Sequence, residues 1–275
     1  MCGCHTYAPV VHTNMNANLP SIHEISGYLD NLLETASTPD YPGAVNGLQL
    51  ENASPIRGIT AAVDFSSRAI DAAIEAGANL LLVHHGMFWS GATPLKGASY
   101  DRLRKLLKHD IAVYSSHLPL DRHPTFGNNA LLAKALGLEP TAGFAEYQGR
   151  SIGVRGSCDV ETKEIVERAA QFSRSYDTVL RSTKLPQHRR TLHWAICTGA
   201  GASADTLRET RELGVDTLIV GEGPHWTAVE AEEQELAVIY AGHYATETLG
   251  VRAIAGHLGG KYGIPFSFAR ASTGL

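Results

Sequence analysis

The sequence predicts an α/β protein in which one strand–helix module is used twice. Three observations point to it. From Ile59 onward, short β-prone runs alternate with amphipathic helical stretches, the pattern of a sheet covered by helices. Leu80 to Val83 is continuously apolar, as expected of a strand buried on both faces. The stretch Ser67 to Val83 also has a counterpart at Ala204 to Val220, each reading as a helix, a glycine stop (Gly77, Gly214) and a buried strand. The repeat continues. Ala112 to Asp121 and Val238 to Glu247 are each a strand ending in small residues, followed by His-x-x-x-carboxylate.

The elements follow in order. Residues 1–20 are rich in Asn, Thr, Pro and His without a period and read as a mobile tail. Their Cys2, Cys4, His5 and His12 match no standard zinc spacing. Ser21 with Glu24 forms a capping-box pattern, and Ile25, Leu29, Leu32 and Leu33 continue it at helical spacing. Ile59 to Val63 reads as a strand. Ser66 to Ala76 reads as a helix with Ala69, Ile70, Ala73 and Ile74 on one face. A helix over Asp101 to His109 and a strand over Ile111 to Ser115 follow. The middle segment, about 140–197, has its own strand (Ser151 to Val154) and helix (Thr162 to Phe172). It joins the halves into one intertwined body, with a first module over 21–140 and a second over 141–275.

Composition narrows the function. The 275 residues carry 23 Lys plus Arg against 28 Asp plus Glu, a net charge of −5, so there is no general field to hold a polyanion. Nucleic acid is disfavoured on that ground, though a local basic rim is compatible with the count. No apolar run approaches the ~20 residues of a spanning helix. The first residues lack the basic and apolar blocks of a secretory signal. The four cysteines (Cys2, Cys4, Cys158, Cys197) contain no Cys-x-x-Cys, so a reducing cytoplasm is expected.

The 13 histidines are informative only where they fall at strand ends. In open α/β sheets ligand groups gather beyond the carboxyl ends of strands. His84, His85, His117, Asp121, Glu222, His243 and Glu247 all follow such strands. If the chain is helical from Tyr244, His243 and Glu247 share a face. His84 and His85 are adjacent, so each imidazole can serve a different ion, which favours two metals over a single tetrahedral zinc. Imidazole and carboxylate without thiolate suit Zn, Fe, Mn, Ni or Co and do not choose among them. Such a site can bridge a hydroxide, so no protein nucleophile is needed. No activated nucleophile is recognisable, and Cys158 and Cys197 have no His partner in the sequence.

His84, His85, Asp121, His243 and Glu247 are the expected metal ligands, with His117 the expected proton relay. Glu222 and His225 carry a weaker signal, and Glu222 equally suits a cap for the segment from Pro224. Asp64 is read as a cap for the Ser66 helix rather than a residue behind the ligands. Gly199-Ala200-Gly201 lacks full Gly-x-Gly-x-x-Gly spacing, and Arg102, Arg104, Lys105 and Lys108 read as a solvated helix face. His23, His109, His123, His188, His193 and His257 show no usable pattern.

Asn46-Gly-Leu-Gln49, Leu82-Val-His-His85, Tyr114 to Asp121, Gly127 to Leu138 and Gly242-His-Tyr-Ala-Thr-Glu247 together resemble the NIF-three-like family, also named GTP cyclohydrolase 1 type 2 homologues or dinuclear-metal-centre hexameric proteins. The resemblance spans about residues 21–269. It implies two intertwined α/β modules with mixed sheets and a toroidal homohexamer with metal sites facing its interior. It also implies the same five ligands, with Glu247 bridging two divalent ions. Gly86, Leu118-Pro119 and Ala44-Val45 depart from the family pattern around the ligands while leaving them intact. The implied activity is a cytoplasmic metal-dependent hydrolase acting on a nucleotide or other small molecule, GTP by the family name. The alternative is a non-catalytic metal-binding ring that recruits a partner.

Overall fold

The computed structural model describes residues 19–274. The predicted tail, with its Cys2, Cys4, His5 and His12, lies almost wholly outside them. Twenty-one helices and strands follow Pro20. The helices are α1 (Ile22–Leu32), α2 (Ser67–Glu75), α3 (Ala98–His109), α4 (Leu118–Asp121), α5 (Asn128–Ala135), α6 (Thr162–Arg174), α7 (Ala204–Leu213), α8 (His225–Glu233), α9 (His243–Thr246) and α10 (Thr248–Tyr262). The strands are β1 (Gly47–Leu50), β2 (Ile59–Asp64), β3 (Leu80–His85), β4 (Ala112–Ser115), β5 (Ala142–Tyr147), β6 (Arg150–Glu161), β7 (Arg181–Ser182), β8 (Arg190–Cys197), β9 (Thr217–Val220), β10 (Ala237–Tyr240) and β11 (Phe266–Phe268).

These strands form two mixed sheets, in the orders β1-β4-β3-β2-β11 and β5-β6-β8-β9-β10-β7. In the first, β2, β3 and β4 run parallel and β1 is antiparallel; in the second, β8, β9 and β10 run parallel with antiparallel strands outside them. The repeat is therefore spatial. The unit β2-α2-β3-α3-β4 corresponds to β8-α7-β9-α8-β10, and each ends in a one-turn helix, α4 or α9, with a histidine at its start. All six residues of β3 except His85, and all four of β9, are buried, which is why both read as unbroken apolar runs.

The chain ties the sheets together. β11, near the C-terminus, adds in parallel to β2 of the first sheet. Val251, Ile254, Ala255 and Leu258 of α10 join Leu80, Leu82 and Tyr114 in one core cluster. In the other direction, Leu132 and Ala133 of α5, with Leu136 just past its end, pack with Trp194, Ile196 and Ile219 of the second sheet. This crossing brings the carboxyl ends of β3 and β4 against those of β8 and β9. Local signals set the helix starts: Ser21 and Glu24 form the expected capping box on α1, and Ser66 and Ser203 cap α2 and α7.

Candidate metal centre

β3 remains a strand through both His84 and His85, and their ring centroids lie 4.8 Å apart. The adjoining strand β4 hands over to α4, which begins just after His117 and ends on Asp121. His117 lies 4.9 Å from His84 and 5.6 Å from His85, centroid to centroid. From the second module, α9 starts on His243, one residue earlier than the sequence suggests, and Glu247 terminates it. His243 lies 5.4 Å from His85. All six predicted residues thus meet at one place where the two sheets abut.

Each imidazole is held by its outer nitrogen. The Nδ1–H of His84 donates to the Ser116 carbonyl at 2.8 Å. Nδ1 of His85 pairs with Asp64 at 2.9 Å, that of His117 with Asp40 at 2.8 Å and that of His243 with Glu222 at 2.8 Å. An acceptor on Nδ1 fixes the tautomer in which Nε2 keeps its lone pair, the arrangement behind metal-ligating histidines. The Nε2 atoms of three of these rings face buried carboxylates. His84 Nε2 stands 3.4 Å from Asp121 and 3.5 Å from Glu247, while His85 and His243 Nε2 stand 3.4 and 3.1 Å from the other Glu247 oxygen.

Those approaches are not hydrogen bonds. His84 Nε2 and Glu247 Oε2 are buried without a partner, which is costly unless something else satisfies them. A cation between lone pairs does so. Nitrogen and oxygen donors of His84, His85 and His117 lie within 4.8 Å of one another, as do those of His85, His243 and Glu247. Both groups can hold a metal ion, and the donor set is the one imidazole-binding metals favour.

Electrostatics agree. Burial pushes the His84 pKa down, but the charges of Asp121 and Glu247 carry it well above its usual value. Burial likewise lowers His243, and the adjoining carboxylates of Glu247 and Glu222 outweigh it, raising the pKa to about 9. For Glu247 burial acts upward, and the positive charge of His85 and His84, with His243 close by, holds it well below the carboxylate range. The metal-free site is thus a set of carboxylates asking for positive charge, whether protons or a metal.

Glycines make room for it. At Gly199 (φ +63°) any Cβ would run into the Glu247 carboxylate, and at Gly201 into the Cys197 backbone. The Gly199-Ala200-Gly201 turn is therefore shaped by close approach to Glu247, and its Gly199 amide donates to Thr246. Asp121 is oriented by Asn128, which donates to it at 2.8 Å.

One sequence reading needs correction. Asp64 does not cap the Ser66 helix, because Ser66 supplies that bond itself; Asp64 holds His85. Of the two roles open to Glu222, it takes the one facing the site, while the neighbouring His225 opens α8. Asp40 was missed altogether. It bonds His117, the Leu118 amide and Asn46, and Asn46 in turn accepts from the His117 amide. Asp40 lies 77 residues before His117, in a loop without periodicity, so no spacing signals it.

Comparison with known proteins decides the family. The profile of Duf34/NIF3 (NGG1p interacting factor 3) matches residues 20–273. The chain belongs to the Duf34/NIF3 family. It is 37% identical over 254 residues to a Deinococcus radiodurans protein named GTP cyclohydrolase 1 type 2 homolog, covering 92% of this chain and 94% of that one. A Pyrococcus abyssi protein of the same name is 38% identical over 261 residues, with 92% and 98% covered. Among solved structures, a protein of unknown function called ybgI superposes with TM-score 0.82 at 32% identity, covering 93% of this chain and all of that one. A Thermus thermophilus protein, TTHA1606, superposes with TM-score 0.77 at 33% identity, again with 93% and 100% covered. As in those NIF3 relatives, the fold is mixed α/β. Among the described residues no helix is long and apolar enough to cross a membrane.

Proposed function

We propose that this NIF3 protein is a metal-dependent hydrolase of the type its relatives' name describes, holding two divalent ions with His84, His85, Asp121, His243 and Glu247. The observation that carries the metal reading is the pair of buried, unpartnered atoms, His84 Nε2 and Glu247 Oε2, inside a ring of imidazoles whose outer nitrogens are already bound. Two donor groups that share His85, one completed by His84 and His117 and the other by His243 and Glu247, support room for two ions, and Asp121 and Glu247, both near His84 Nε2, would supply their carboxylates. Divalent ions there supply Lewis acidity and lower the pKa of water toward ~7.

The chain's own residues do the rest. Asp121 and Glu247 keep the site anionic. His117 lines the adjoining cavity, and Asp40 holds its Nδ1, leaving its other nitrogen to take and return a proton on the substrate side. Below the mouth, Leu118, Ile152 and Ala200 exclude water from one wall.

Elemental analysis of protein purified without added metal tests the first half, with two equivalents per chain expected and one or none overturning the dinuclear reading. Metal-loaded protein is then assayed with GTP and with model phosphoesters. Turnover that disappears in His117→Gln at unchanged metal content supports the hydrolase and the relay. No turnover at full occupancy replaces it with a non-catalytic metal-binding ring. The ring itself, a homohexamer, belongs to the same proposal and is consistent with exposed Trp226 and Val229 on α8. Light scattering tests it, and a monomeric mass removes it.

A further inference from the structure

The metal centre opens into a cavity of about 250 Å³ whose lining is unusual in two respects. The first is an aromatic wall. Tyr41 and Trp89 stand at the mouth, 49% and 42% exposed, with ring centroids 6.5 Å apart and planes at 72°. Tyr147, itself outside the lining, lies 5.0 Å from Tyr41 and backs it. Inward, Trp89 rests 4.7 Å from the His117 ring and 5.0 Å from that of His85. An unbroken run of ring faces and edges therefore leads from solvent to the candidate ligands. Large aromatic side chains left half in water forgo burial energy, and a gathering of them at a cavity mouth marks a surface that a ligand covers.

The second respect is charge. No Lys or Arg among the described residues lines this cavity, and residues 1–18 and Leu275, outside them, contain none. Arg68 lines an adjoining cavity, which shares His85, Trp89 and His243 with this one. There it is bound to the Ala271 and Ser272 carbonyls and shares the space with Asp64 and Glu222. Polyphosphates are ordinarily gripped by Arg, Lys, a nest of amides or a bound divalent ion, so the side chains of this cavity give a phosphate no cation of their own. The wall facing the aromatics is built of Leu118, Ile152, Ala200 and Cys197, and burial pushes the Cys197 thiol up to about 12, so it too is uncharged.

We propose that Tyr41 and Trp89, with Tyr147 backing Tyr41, form a clamp for a planar aromatic ring of the substrate. This deepens the hydrolase reading and rests on it only for the word substrate; the clamp as a binding site stands on the cavity alone.

The test uses the full-length protein as purified, its metal content measured separately, with benzamide and its saturated counterpart cyclohexanecarboxamide as probes. Calorimetry or ligand-observed NMR is expected to show benzamide binding about tenfold more tightly than the saturated amide, and that preference falling to near unity in Trp89→Leu. Tyr41→Leu and Tyr147→Leu, each with an unchanged melting temperature, check that the loss comes from the clamp and not from misfolding. Equal binding of the two amides, or preference unaltered by all three substitutions, overturns the proposal. Benzamide binding to Trp89 in a protein without bound metal would sink the metal reading and leave the clamp intact. Two metals per chain with no amide preference would do the reverse.

Discussion

The two modules share a backbone frame but contribute to the site unequally. Where β3 of the first ends in His84 and His85, the equivalent β9 is followed by Gly221 and Glu222. The first module buries its donors: His84 is inaccessible and Asp121 nearly so. The second offers His243 from a more exposed position, buries the single carboxylate Glu247, and supplies space. A Cβ at Gly221 would stand 2.5 Å from the Gly199 carbonyl oxygen and 2.8 Å from the His243 Cα. A histidine there, matching His84, would displace the turn that carries Gly199 past Glu247. Duplicating the module thus provides two strand-end platforms. The site forms because one platform keeps its imidazoles and the other gives them up to let Glu247 reach across.

That asymmetry can be broken, most severely at Glu247. Glu247→Gln keeps the shape and removes the one carboxylate that faces imidazoles from both modules. Metal affinity is expected to fall by more than the ~100-fold upper range seen for groups behind the ligands, read by elemental analysis after dialysis. Retention of both ions would show that the modules bind independently. Gly221→Ala probes the space rather than the ligands. The contact falls on backbone that cannot swing aside, so a loss of ~1–3 kcal/mol is expected in a denaturant titration. An unchanged midpoint would mean that the second platform has slack.

The third comparison is between the anchors. Asp40 is buried beside His117, whereas Glu222 is half exposed beside His243. Burial pushes the Asp40 carboxyl up, and the bond and charge of His117, with Asn46 and Leu118, bring it below its usual value. Asp40→Asn should therefore cost more than Glu222→Gln. If His117 is a relay, Asp40→Asn lowers turnover at constant metal content. If His117 is a ligand, the loss appears instead as metal affinity, by ~10–100-fold.

What the sequence made legible follows from the same division. Fold class was readable because apolar strands and helix caps are local patterns, and the repeat doubled each of them. The five expected ligands and His117 were readable because they sit at fixed offsets from strands that could themselves be recognised. The anchors were not. Asp64 and Glu222 lie at strand ends, but only the three-dimensional meeting with His85 and His243 distinguishes a carboxylate that holds an imidazole from one that caps a helix. Asp40 lies in an aperiodic loop, and nothing short of the tertiary contact with His117 reveals it. The aromatic mouth was hidden for the same reason: Tyr41, Trp89 and Tyr147 come from three separate segments.

The smallest expected effect is on pH dependence, and it separates the modules by their protons. His243 in the metal-free protein has its pKa raised to about 9 from 6.5. A raised histidine contributes stability that is fully present below the unfolded value and is lost as pH rises through the folded one. Metal-free protein should therefore melt progressively lower between pH 6.5 and about 9. A metal must instead find the imidazole neutral, so uptake at pH 7.5 releases a proton from His243, and affinity rises with pH over the same range. The two slopes have opposite sign. Thermal melts with chelator and with saturating metal, at both ends of this window, measure them, and calorimetry in two buffers of different ionisation enthalpy counts the released protons. His243→Gln should flatten the metal-free slope in part, since His84 is raised as well. If His243→Gln leaves both slopes unchanged, the exchangeable proton belongs to the buried first module, and His243 is no more than a wall of the cavity.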